Sequence, residues 1–133
     1  MTIDRRKNER FYVDLDIFAA LRGGFKKVGK VHDIGIKGLG FSYLREVTQF
    51  DSIGHDTQVD IFMVKDRFHL FNLPCKIVYE NTSVDPYADL YVNRFKCGLC
   101  FEDLSKTRLD LLNFLIKNYI IKTMPAEKRF RGH

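Results

Sequence analysis

Between Phe11 and Leu21 the apolar residues fall on every second position: Phe11, Val13, Leu15, Ile17, Ala19 and Leu21. A period of two places them on one face of a strand, with the intervening residues facing the other way. The same alternation returns at Val59, Ile61 and Met63, and again at Phe95, Cys97, Leu99 and Phe101. A chain patterned in this way buries one face of each of several strands, so its core must be a sheet packed on itself or closed into a barrel.

The punctuation between these runs supplies an order of elements. Gly23-Gly24 turns the chain, Phe25 to Ile34 reads as a second strand, and Leu39 to Tyr43 continues beyond a glycine-rich segment, Gly35–Gly40. A loop is expected over Asp51–Asp56 and a hairpin turn at Lys65-Asp66-Arg67. Phe68–Leu73 and Cys75–Tyr79 read as one long strand or a bent pair, with Pro74 implying an edge or a bulge. Asn81–Asp89 is read as a loop.

After the last alternating run the period changes. Ser105 has the chemistry of a helix N-cap, and Leu109, Leu112, Ile116, Tyr119 and Ile120 recur at helical spacing to about Thr123. Pro125 ends that pattern. The expected architecture is mainly β: a small antiparallel barrel with one C-terminal α-helix over about 105–123. Residues 1–10 form a flexible polar lead-in, 11–124 the folded domain and 125–133 a basic tail.

Composition narrows the function. The 133 residues are 45% apolar and 14% aromatic, enough for one domain with a modest core. No apolar stretch approaches a membrane span, and the polar start lacks the apolar region of a signal peptide. Three cysteines make no even disulfide framework, so a reduced, cytoplasmic setting is expected. The net charge of +5 favours anionic partners. It is not laid out as a basic stripe, so long nucleic acid is not expected.

Two segments carry the candidate chemistry. The lead-in contains Arg5, Arg6 and Arg10, with Arg6 and Arg10 in Arg-x-x-x-Arg spacing. The run Asp33-Ile34-Gly35-Ile36-Lys37-Gly38 is an acid-bearing turn. A guanidinium fork holds a phosphate with two bonds, reads guanine O6 and N7, and stacks on a purine face. A carboxylate accepts from the amino and imino donors of guanine. A glycine lets backbone approach a ligand closely.

In order and spacing these segments resemble the PilZ domain family, bacterial receptors for cyclic di-GMP. Its pattern is Arg-x-x-x-Arg followed by Asp/Asn-x-Ser-x-x-Gly. Arg6, Arg10, Asp33 and Gly38 match; the serine position is Gly35. The resemblance implies a six-stranded barrel and a ligand set of Arg5, Arg6, Arg10, Asp33, Gly35 and Gly38. It also implies a lead-in that orders on ligand binding and signals to a protein effector. The stretch Arg94-Phe95-Lys96-Cys97-Gly98 resembles the family's last barrel strand, which adds Arg94, Lys96 and Gly98 as secondary candidates. Losing the serine hydroxyl removes one hydrogen bond, roughly 0.5–1.5 kcal/mol. That weakens binding by up to about tenfold rather than abolishing it.

Two other readings stay open: an interaction adaptor on the same fold that no longer binds nucleotide, and an oligonucleotide-binding barrel. No Ser-His-Asp order or carboxylate pair suggests an enzyme, and no cofactor beyond the ligand is implied. Cys97-x-x-Cys100 is not read as a metal site, because strand residues three apart point to opposite faces. His32, beside Asp33, is read as structural. Monomer and homodimer are both compatible.

Overall fold

The computed structural model describes residues 9–22, 27–45, 56–83 and 93–121. Gly23-Gly24, 51–55, 84–92 and the tail 125–133, together with Arg5 and Arg6, lie outside the described residues. Seven strands are formed: β1 Phe11–Tyr12, β2 Phe18–Leu21, β3 Lys27–Ile34, β4 Gly38–Arg45, β5 Asp56–Met63, β6 Phe68–Ser83 and β7 Asn93–Phe101. Their order is β1-β3-β2-β5-β6-β7-β4, all antiparallel neighbours, and β3 pairs β4 as well. That last pairing closes six strands, β2 to β7, into a barrel, with β1 as a short extension on β3. Closure removes the free sheet edges that would otherwise template association.

The alternating positions face the interior as expected. Ile17, Ala19, Val31, Leu39, Phe41, Val59, Ile61, Phe95, Cys97 and Leu99 are all buried. Helix α1, Lys106–Leu115, continues into a π-helical turn, Ile116–Ile121. Leu112, Leu115, Ile116 and Ile120 belong to the same buried cluster as the barrel residues. Ser105 caps α1 by accepting from the Arg108 amide at 3.2 Å. The expected helical set omitted Leu115 and included Leu109, which is only half-buried.

Three expectations need correction. The run Phe11–Leu21 is not one strand. The Val13 amide still donates to His32 and the Val31 amide to Ile17, but Asp14-Leu15-Asp16 is looped out between them. The Ile17 amide donates to the Leu15 carbonyl across Asp16, making a tight three-residue turn. Two aspartates around one leucine favour this local turn over the ladder.

The glycine-rich segment is mostly strand. The Gly35 amide donates to the Gly38 carbonyl at 2.9 Å, so Ile36-Lys37 is a two-residue hairpin loop, and Gly38 and Gly40 lie inside β4. The loop expected at Asn81 begins later, because β6 runs on to Ser83.

Pro74 lies in an interior strand, beside a bulge. The β5–β6 register shifts between Val59 and Ile61, and Asn72 opposite has φ 60°. Pairing with β7 begins only at Cys75, and the Pro74 carbonyl accepts from the Glu102 amide at 2.8 Å. The hairpin turn expected at Lys65-Asp66-Arg67 is present, with Arg67 in the left-handed region at φ 53°.

One feature of the interior has no precursor in the pattern of apolar residues. Lys27 and Glu80 are both fully buried as side chains and form an ion pair, and the Tyr43 hydroxyl also donates to Glu80. The Lys27 ammonium sits 5.3 Å from the Tyr43 ring centre, and Tyr43 stacks on Phe95 at 5.2 Å. Burial of two charges is tolerated because each meets an opposite charge and further partners.

Candidate functional site

The β3–β4 hairpin carries Asp33 on its last ladder rungs, paired with Gly40 and with Tyr12 of β1. Arg10, just before β1, reaches it: Nη1 donates to Asp33 Oδ1 at 2.7 Å. The glycines around this ion pair make its seat. A Cβ on Gly40 would stand 2.8 Å from Asp33 Oδ2, and one on Gly38 would stand 2.8 Å from Arg10 Nη2. Gly38-Leu39-Gly40 thus leaves the outer wall bare where the carboxylate and the guanidinium lie.

Backbone approach is equally tight. At Gly38 a Cβ would be 2.0 Å from the Leu99 carbonyl oxygen of β7. At Gly35 it would be 2.0 Å from the Glu9 carbonyl oxygen and 3.2 Å from Arg10 Cδ. Residue 35 therefore touches the lead-in. The chain of β7 also fixes the hairpin tip, since the Phe101 amide donates to the Lys37 carbonyl at 2.8 Å.

The outer face continues across the barrel. Gly40 pairs with Gly98 of β7, and Gly98 with Tyr79 of β6. One step along, Ser42 pairs with Lys30 on one side and Lys96 on the other, and Lys96 with Asn81. His32 Nε2 lies 2.6 Å from Ser42 Oγ. The His32 imidazole is held below its usual range by burial first, then by the cations Lys96, Lys30 and Arg94; Asp33 acts in the opposite sense. Arg94 and Lys96 are exposed. Lys30 also lies 4.0 Å from the exposed Asp16 carboxylate. The result is a mainly cationic face that includes the Asp33 carboxylate, suited to an anion that also presents hydrogen-bond donors.

Of the residues expected from sequence, Arg10, Asp33, Gly35 and Gly38 converge within this hairpin region, and Lys96 and Gly98 lie on the adjoining strand. Arg5 and Arg6 lie outside the described residues. Gly98 is roofed: a Cβ there would meet the Tyr79 ring at 2.2 Å. Tyr79 and Ser42 were not foreseen, and His32 was read only as structural. The β6–β7 register shifts between Ile77 and Tyr79, so the period of two breaks there and conceals which face Tyr79 takes. Cys97 is buried and Cys100 exposed, on opposite faces of β7. Cys75 is also buried, and desolvation pushes its thiol up to about 12.

Known proteins share this fold. The model of the PilZ domain matches residues 4–118. The chain belongs to the PilZ domain family. Similar solved PilZ structures include the PilZ domain of YcgR from Escherichia coli with c-di-GMP, at TM-score 0.63 and 13% identity. That alignment covers 80% of this chain and 85% of the YcgR domain. MrkH of K. pneumonia in its apo state aligns at TM-score 0.61 and 10% identity, over 80% of this chain and 47% of MrkH. PlzA of Borreliella burgdorferi in complex with c-di-GMP aligns at TM-score 0.52 and 12% identity, over 84% of this chain and 51% of PlzA. The chain thus spans about half the length of these last two. No curated protein matches by sequence. Among the described residues no helix is long and apolar enough to cross a membrane.

Proposed function

We propose that this PilZ chain is a non-enzymatic receptor for cyclic di-GMP. The observation that carries the reading is the seat built by Gly38 and Gly40, where Asp33 and Arg10 meet on a mainly cationic wall. Guanine N1–H and N2–H are donors matched to Asp33, and the two phosphates are matched to Arg10, Lys96 and the lead-in arginines Arg5 and Arg6. In this reading the ligand takes over the Asp33 carboxylate and draws the segment carrying Arg5 and Arg6 onto the barrel. The reshaped surface then engages a protein effector. The chain acts in the bacterial cytoplasm, where the second messenger is made.

Calorimetric titration with cyclic di-GMP tests this, with Arg6→Ala and Arg10→Ala variants and GTP as controls. Saturable heat in the wild type, lost in both variants and absent with GTP, is expected. Absence of heat from the folded protein overturns it. Hydrogen exchange over residues 1–12 tests the ordering step, and protection unchanged by ligand would count against it.

One observation favours a second reading. Arg10 already satisfies Asp33, and the Glu9 carbonyl already fills the space beside Gly35. An adaptor that has closed its own ligand site and binds only protein would look the same. The titration separates the two.

A further inference from the structure

The outer wall formed by β2, β5 and β6 carries aromatic residues that the core does not use. Phe18 of β2 pairs with Lys30 of β3 and with Phe62 of β5, and Phe62 pairs with His69 of β6. Directly paired residues share a face. Ile17, Ala19, Ile61, Met63 and Leu70 beside them are buried, so this row faces outward. The Phe18 and Phe62 rings stack at 5.7 Å, and His69 stacks on Phe71 at 5.3 Å. Phe71 is half exposed, as is Val28, which pairs with the outward Ala20 of β2. Scattered exposed apolar residues are ordinary on a protein surface. Two stacked aromatic pairs side by side on one wall make a patch of the kind that marks an interface.

The charges around the patch indicate what covers it. Asp16, Phe18, Ala20 and Arg22 follow one another at every second position along β2 and its ends. Lys30 of the Phe18 row stands 4.0 Å from the Asp16 carboxylate, and Arg22 holds Asp60 at 3.0 Å. In the first pair the acid is the more open member, at 84% against 46%. In the second it is the base, at 55% against 14%. One end of the wall therefore presents a carboxylate and the other a guanidinium, about 20 Å apart. On a chain of net charge +5, these two balanced pairs spare the wall the self-repulsion of the rest.

We propose that this wall is the interface of a homodimer, with a second copy of the chain as its occupant. A face with an acidic and a basic end complements itself when turned end for end. A two-fold axis crossing β2 at Ala19 does this. Arg22 of each copy then meets Asp16 of the other. Phe18 of each copy falls over Ala20 of the other, a large side chain against a small one. The rings form the apolar centre of the contact and the ion pairs its rim. The dimer does not depend on the receptor reading, and it uses none of Arg10, Asp33, Gly35 or Gly38.

Sedimentation of the full chain at low salt, between about 1 μM and about 1 mM, tests this, with thermal unfolding as the check on folding. The wild type is expected to pass from monomer to dimer mass. Phe71→Ser, Asp16→Arg and Arg22→Glu are each expected to weaken association about tenfold or more. An equimolar mixture of Asp16→Arg and Arg22→Glu is expected to dimerise as the wild type does, because both rim contacts are then between opposite charges. A wild type that stays monomeric at about 1 mM, or variants that dimerise as it does, would overturn the proposal. So would a mixture no more associated than its components, which would assign the wall to a different protein.

Discussion

Arg10 and Asp33, 23 residues apart in the chain, meet at 2.7 Å with side chains 39% and 30% exposed. An ion pair this open to water is worth at most about 1 kcal/mol to the fold. In a ligand site the same groups make charge-assisted bonds worth roughly 1.5–3 kcal/mol each. Arg10→Ala and Asp33→Ala are therefore expected to change unfolding free energy by less than about 1 kcal/mol. Each is expected to weaken cyclic di-GMP binding by about tenfold or more. Denaturant titration and calorimetry on the same preparations check both halves, and a variant that binds normally would remove its residue from the site.

Gly35 stands where the PilZ pattern has serine, and its position against the Glu9 carbonyl gives that departure a physical consequence. Any Cβ at 35 must push the Glu9–Arg10 segment away. Gly35→Ala and Gly35→Ser are both expected to speed amide exchange over residues 9–12 in the free protein. They are expected to differ in affinity, with the serine variant tighter by up to about tenfold because its hydroxyl gains one hydrogen bond to ligand. Unchanged exchange in both variants would show that the segment does not depend on the glycine.

Gly38 is constrained differently, because its neighbour is the β7 backbone at Leu99. Backbone in the middle of a barrel cannot retreat as a lead-in can. Gly38→Ala is expected to destabilise the fold by about 1–3 kcal/mol, read as a lowered denaturant midpoint with an unchanged slope.

The strands and the site were legible in the sequence to different depths. Alternation at Val59–Met63 and Phe95–Phe101 revealed β5 and β7, because a strand buried on one face must alternate. It misread Phe11–Leu21, where Asp14 and Asp16 break the ladder without disturbing the apolar period. Arg10, Asp33 and Gly38 were legible because their types and order match the PilZ pattern. Tyr79 was not, because a bulge at Val78 shifts the phase of β6, and only the pairing register shows that it shares a row with Asp33. Lys27 was equally hidden: a lysine in a strand reads as outward-facing until Glu80, 53 residues away, is seen beside it.

That buried pair supports a prediction about folding rather than binding. Lys27→Met leaves Glu80 charged inside the barrel, and breaking such a pair costs about 3–5 kcal/mol. The double variant Lys27→Met/Glu80→Leu removes both charges and is expected to recover most of that loss. Equal instability of the single and double variants, measured by urea unfolding, would mean that the pair is not the source of the cost.

His32 links the cationic face to pH. Its folded-state pKa lies below the ordinary 6.5 because burial and the nearby Lys96, Lys30 and Arg94 disfavour a further positive charge. The unfolded chain therefore takes up this proton first as pH falls. Stability is unaffected by His32 above about pH 6.5, declines as pH drops from there toward the lowered folded value, and is flat again below it. His32→Gln keeps a hydrogen-bonding group for Ser42 and cannot titrate. Between about pH 7.5 and 5 the wild type is expected to lose more unfolding free energy than the variant, while carboxylates contribute equally to both. Parallel losses in the two proteins would show that the imidazole is not disfavoured in the charged form.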